Sequence, residues 1–165
     1  ALDSSRFKTY LSLALDKPVN DIQGMVIGGH GDTTMIPLTR LASYNGGPVS
    51  QYLDSKSLEK VVSDTMVGGA TLTKLLGTSA WYAPGASVAF LVDSILNDYK
   101  RMIPCSVLLE GEYGLNDIGI GVPCIIGANG VESIVDIKLN ETEQALLKES
   151  ANKVQIMNVA LNEIL

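Results

Sequence analysis

Asp3, Arg6 and His30 are the residues whose types and spacing could do chemistry together. Asp3 and Arg6 stand at i and i+3, which makes them neighbours at one end of a helix. Arginine presents a planar fork of donors that matches a carboxylate in a two-point pair. His30 is the chain's one histidine, and imidazole both takes and gives a proton near neutral pH. A carboxylate behind it would fix its tautomer and favour its charged form. Such a set could bind a carboxylic acid and move a proton on the neighbouring carbon–oxygen group. On spacing alone a plainer reading stands beside this one: a solvated Asp3–Arg6 pair, and a histidine that merely occupies a glycine turn in "VIGGHGDTTMIPLT".

Other chemistries fit less well. Gly28, Gly29 and Gly31 invite a phosphate cradle, but the dinucleotide fingerprint G-x-G-x-x-G lies between a strand and a helix. Here one strand pattern leads into another, and "GIGVPCIIGANG" lies inside strand-like runs. There is no Walker A sequence and no G-x-S-x-G elbow. Cys105 and Cys124 each sit in an apolar, strand-like run and read as two reduced core thiols. A disulfide is compatible with their spacing but not demanded by it, and two cysteines alone make no metal site.

The elements that must position these groups follow from periodicity. Ser4 or Ser5 is expected to cap a first helix with Phe7, Tyr10, Leu11 and Ala14 on one face, ended by Lys17-Pro18. "DIQGMVIGG" reads as a strand that stops at two glycines, and "TMIPLTRLASYNGG" as a second, with Pro37 marking a sheet edge or an irregularity. Asn45 to Pro48 is a turn. A long helix is expected from Asp54 to Leu76. Its interior Gly68-Gly69 points to a bend or a close approach by another backbone or a ligand. Pro84 would open a helix over Gly85–Tyr99. Strands are expected over Cys105–Glu110, Gly119–Ile126 and Ser133–Leu139, antiparallel because their connections are short. Asn140 and Glu143 form a capping box for a last helix with a stripe of Leu147, Val154, Met157, Leu161 and Ile164. The order αββααβββα is that of an α+β fold, a mostly antiparallel sheet packed by long helices, rather than a doubly wound sheet.

With 165 residues, 46% hydrophobic and 18% charged, the chain reads as one globular domain spanning residues 1–165. A net charge of −6 without basic clusters argues against nucleic acid or an anionic membrane as partner. No apolar run is long enough for a membrane span, and the opening residues lack the layout of a signal peptide. The chain starts without Met, almost inside a helix. It is therefore expected to be a fragment of a protein about twice as long.

"LDSSRFKTYL", "VIGGHGDTTMIPL" and "GGATLTKLLGTSAWYAPGAS", in this order, resemble the C-terminal half of the lactate/malate dehydrogenase family. Within it they are most similar to malate dehydrogenases of the prokaryotic, lactate-dehydrogenase-like type. The resemblance implies that Asp3 orients the catalytic histidine, that Arg6 clamps the substrate C1 carboxylate, and that His30 takes the hydroxyl proton while hydride leaves for the nicotinamide. It places Gly29, Ser79 and Ala80 at the substrate pocket. Lactate dehydrogenases usually carry Glu where Gly29 stands and Thr near Ser79-Ala80, so the small residues here favour malate/oxaloacetate over lactate. It further implies NAD bound mainly by an N-terminal Rossmann half that this chain lacks, a homodimer or homotetramer, and a cytoplasmic enzyme of the tricarboxylic acid cycle. Two alternatives remain. One is a lactate-dehydrogenase-type 2-hydroxy-acid dehydrogenase. The other is an oligomerisation or carboxylate-binding module, inactive without the NAD-binding half.

Overall fold

Helix α1, Leu2–Leu15, buries Ser4, Phe7 and Leu11 along one face and leaves Tyr10 half-buried. Ala14, expected on that face, is exposed. The helix also starts earlier than the serines predict. Ala1 is the N-cap, so neither Ser4 nor Ser5 caps it. Ser5 Oγ donates back to the Ala1 carbonyl, while Ser4 Oγ accepts from the Val26 amide and ties the helix to the strand that follows. The structure, a computed structural model, describes residues 1–162.

The stretch expected as two strands is broken into short pieces: β1 (Ile22–Gln23), β2 (Val26–Gly28), β3 (Met35–Pro37), β4 (Ser43–Tyr44) and β5 (Gly47–Pro48). Gly24 separates β1 from β2, and a Cβ there would meet the Phe7 ring at 3.0 Å. A turn of 3-10 helix at Thr39–Leu41 separates β3 from β4. Pro37, whose missing N–H suits an edge, is in the edge strand β3. Asn45 and Gly46, both at positive φ, form the tight turn between β4 and β5.

Helix α2, Ser55–Leu76, keeps its expected bounds; the Asp54 carboxylate caps it by accepting from the Ser57 amide at 2.8 Å. Helix α3 is Tyr82–Leu96 rather than Gly85–Tyr99. Pro84 sits inside its first turn, where a missing N–H costs nothing, and Trp81 accepts the first helical bond from Gly85. The far end stops early because Asp98 turns to φ 48°.

The chain forms two compact units. One comprises Ala1–Val26 and Pro37–Phe90, and the other Ile27–Ile36 and the chain from Leu91 onward. In the first, α1 packs on α2 beside the small β1-β4-β5 sheet. Phe7, Leu11, Ile22, Leu38, Val49 and Val61 form its core.

The second is built on two long antiparallel strands, β6 (Arg101–Glu110) and β7 (Asn116–Gly127), with β2 and β3 continuing the sheet beyond β7. Along β7, Ile118, Ile120, Val122, Cys124 and Ile126 are buried, the period-2 pattern of a strand with one face on a core. Strand β8 is Gly130–Ile134, not Ser133–Leu139. Pairing starts at once after the tight turn, at Gly127↔Gly130. Beyond Ile134 the chain leaves the ladder and is held by Tyr113, whose hydroxyl donates to Val135 O and accepts from Ile137 N.

Helix α4, Glu141–Asn162, opens with the expected capping box: Glu143 N donates to Asn140 Oδ1 at 2.8 Å, and Asn140 N to Glu143 Oε2 at 2.9 Å. Leu147 and Ala151 are buried and Val154 half-buried, but Met157 is exposed. The Leu161 side chain and Ile164 lie outside the described residues. No helix among the described residues is long and apolar enough to cross a membrane.

Candidate active site

In the first unit, Asp3 and Arg6 meet on the first turns of α1, with Arg6 Nη1 donating to Asp3 Oδ1 at 3.1 Å. Both side chains are largely withdrawn from water, at 18% and 20% exposure for Arg6 and Asp3, which sets them apart from a solvated surface pair. For Arg6 the reason is the seat beneath it. A Cβ on Gly68 of α2 would stand 2.8 Å from Arg6 Cδ and 3.0 Å from Tyr10 Oη. On Gly69 it would stand 3.2 Å from Arg6 Nη2. The close approach expected at these glycines is made by side chains, those of Arg6 and Tyr10. Two residues of bare helix backbone receive the arginine stem. Guanidinium carries five N–H donors, so the contact with Asp3 engages only part of the fork.

In the second unit, His30 is exposed on the loop between β2 and β3. The loop is closed on itself. The amides of Thr34 and Met35 both donate to the Gly31 carbonyl, at 2.9 and 3.2 Å, and Thr34 Oγ1 adds a third bond at 3.2 Å. Gly28 stands at φ 89°, and a Cβ on it would lie 2.4 Å from the Thr34 carbonyl oxygen. Only glycine fits there. The loop is also pinned from α4: Gly29 N donates to Ser150 Oγ at 2.9 Å, and Ser150 Oγ donates to Thr34 O at 2.8 Å. Lys153 Nζ donates to Thr33 O at 3.1 Å. The glycines are therefore spent on closing a loop that presents imidazole.

The remaining candidates fall apart into two places. Gly29 packs against Thr34 and Val154, where a Cβ would find contacts of 3.0–3.1 Å. Ser79 (exposed) and Ala80 (half-buried) lie between α2 and α3, on the unit that carries Arg6. A cavity of about 430 Å³ beside Tyr113, Lys138 and Leu147 is lined by none of the candidate residues. It follows from the detour of the chain after β8. Cys105 and Cys124 are free thiols; burial pushes the Cys124 thiol up to about 11 and raises Cys105 as well. Sequence reasoning misses Ser150. Its one signal is a hydroxyl at i+3 from Leu147 and i−4 from Val154, on a stripe otherwise apolar.

A sequence profile of the lactate/malate dehydrogenase alpha/beta C-terminal domain matches residues 1–160. The chain belongs to the lactate/malate dehydrogenase family. It is 76% identical to a malate dehydrogenase of Flavobacterium frigidimaris over 165 residues, all of this chain and 53% of that protein. Among solved structures, malate dehydrogenase from Salinibacter ruber superposes with a TM-score of 0.95 at 44% identity, over 99% of this chain and 53% of its own. A lactate dehydrogenase from Eimeria maxima with NADH and oxamate does so with a TM-score of 0.93 at 38% identity, over 99% of this chain and 52% of its own. The chain thus spans about half the length of the relatives it matches.

Proposed function

We propose that this chain is the substrate-binding and acid–base half of an NAD-dependent malate dehydrogenase, which reversibly oxidises (S)-malate to oxaloacetate. The observation that carries the reading is the seating of Arg6 on Gly68 and Gly69. A partly buried guanidinium, held at its stem and only partly engaged by Asp3, is arranged for two-point binding of a carboxylate. Arg6 takes the substrate C1 carboxylate. Neutral His30 accepts the hydroxyl proton of malate; in reverse, its imidazolium donates to the carbonyl oxygen of oxaloacetate. Asp3 orients the imidazole and stabilises its charged form, the part a buried carboxylate plays in a Ser-His-Asp triad.

The glycine stretch does not match the dinucleotide fingerprint, which lies between a strand and a helix. NAD, the hydride acceptor, is assigned mainly to an N-terminal Rossmann half outside these 165 residues. The reading takes residues 1–165 as one substrate-binding domain of a cytoplasmic enzyme in the tricarboxylic acid cycle, working as a homodimer or homotetramer. Trp81, Tyr82 and Leu96, at 72%, 93% and 78% exposure, support burial of α3 against such partners.

Gly29 and Ala80, small where lactate dehydrogenases are larger, favour the dicarboxylic substrate over the lactate-type alternative. The test is NADH oxidation by the full-length protein with oxaloacetate and with pyruvate. A higher kcat/KM for oxaloacetate is expected, and a preference for pyruvate overturns the malate assignment. The 165-residue chain alone is expected to show no turnover with either.

A further inference from the structure

We propose that Ser150 is a positioning residue for His30, a single hydroxyl on α4 that holds both ends of the loop presenting the proton carrier. The inference rests on the acid–base role proposed for His30. A serine hydroxyl has one donor hydrogen and two acceptor lone pairs. Ser150 spends both functions on this loop: it accepts from the amide of Gly29, the residue immediately before His30, and donates to the carbonyl of Thr34, where the loop rejoins β3. These partners are 121 and 116 residues away in sequence, so the contact is not local turn chemistry. Ser150 is 2% exposed, and water cannot readily take over either bond.

The surroundings agree with a device for placement. A Cβ on Gly28 would stand 3.0 Å from Ser150 Oγ, so the glycine leaves room for the hydroxyl to enter between the loop ends. Val154, one turn further along α4, closes against Gly29, and Lys153 takes the Thr33 carbonyl. His30 itself stays exposed. The backbone on either side of it is fixed while the side chain is solvent-exposed, which suits a proton carrier: proton transfer tolerates little error in donor–acceptor distance. An alanine at position 150 would keep the helix and its apolar packing but leave the Gly29 amide and the Thr34 carbonyl without this partner.

The experiment uses the full-length dehydrogenase carrying Ser150→Ala, Ser150→Thr, His30→Asn and the double variant His30→Asn/Ser150→Ala. S150A is expected to lower kcat for oxaloacetate reduction by about tenfold to a hundredfold, with KM and the affinity for NADH nearly unchanged. S150T, which keeps the hydroxyl, is expected to recover most of that loss. In the H30N background S150A should cost less than about twofold, because the group it positions is gone. Loss in S150A that merely tracks a reduced folded fraction, read from NADH-binding stoichiometry, overturns the inference. So does a full additional loss in the H30N background. If H30N alone keeps activity within tenfold, the acid–base reading of His30 fails instead; S150A without effect beside a crippled H30N removes only the role of Ser150.

Discussion

The helix that carries Asp3 and Arg6 and the loop that carries His30 each hold a polar side chain in a fixed, reachable place, by different means. Arg6 is held through its own side chain: its stem lies on the bare backbone of Gly68-Gly69 and its head touches Asp3 one turn away. His30 is held through its neighbours: the main chain around it is closed on Gly31 and bonded to α4, while the imidazole stays exposed. A carboxylate clamp works by geometry of the guanidinium itself, so fixing the side chain suits it. A proton carrier must meet a reacting atom, so fixing the backbone and leaving the ring open suits it.

This contrast predicts where substitutions hurt and by which kinetic constant. His30→Asn should show the largest effect, a loss of about 10²–10⁴-fold in turnover in the full-length protein with substrate binding retained; activity within tenfold of the parent breaks the contrast at its root. Arg6→Lys comes next. A point charge cannot reproduce the fork, and a loss of roughly tenfold to a hundredfold in kcat/KM is expected.

Gly68→Ala is the sharper probe. Alanine favours a helix interior over glycine by about 1 kcal/mol, but Gly68 is buried and the added methyl would sit 2.8 Å from Arg6 Cδ. The helix gain and the overpacking oppose one another, so a small change in Tm beside a KM raised about tenfold is expected. Gly69→Ala, with its nearest contact at 3.2 Å, should raise KM less. Equal effects of the two, or a change in kcat alone, would show that the glycines do not seat the arginine.

The smallest effect serves as a control in the unit of His30. Lys100 bonds to Glu132 and Asp98, and Asp98 also accepts from the Ala128 amide. These bonds, the one from Lys100 first, hold the Asp98 carboxyl below its usual 3.8. A group with a depressed pKa stabilises the fold above its unfolded value and loses that stabilisation as pH falls through the folded one. Asp98→Asn should therefore lower Tm slightly at pH 6 with kcat unchanged, and the gap should close as the pH falls below 3.8. A gap that persists there would place the effect elsewhere.

The two holding devices were unequally legible in the sequence. Asp3 and Arg6 at i, i+3 announce their own contact, and glycines in the middle of α2 announce a close approach, because both signals come from the periodicity of a single helix. The identity of what approaches does not, since Arg6 and Gly68 are far apart in sequence. His30 stood out by its type, yet nothing local pointed to Ser150, whose bonds reach across more than a hundred residues. The long elements were readable for the same reason: the caps of α2 and α4 and the alternation along β7 are local. The short strands β1 to β5 were not, because Gly24 and the turn at Thr39–Leu41 interrupt patterns that look continuous in apolar residues. The end of β8 is not legible either, because the chain beyond Ile134 is held by Tyr113, which lies on the far side of β7 in sequence.

Cys124 sits in mid-strand on β7, opposite Ile103 on one side and Ile134 on the other, with its Sγ bonded to the Val122 carbonyl. Burial keeps the thiol almost wholly protonated at neutral pH, and the thiolate is the form that reacts. The molecule thus carries its own stopwatch. A thiol reagent added in excess can label Cys124 only in the moments when the β6–β7–β8 ladder is parted, so the labelling half-time counts openings of the sheet that the His30 loop is attached to. Cys105, a half-buried thiol on β6, takes the same reagent, so the count is read by mass on the peptide that carries Cys124.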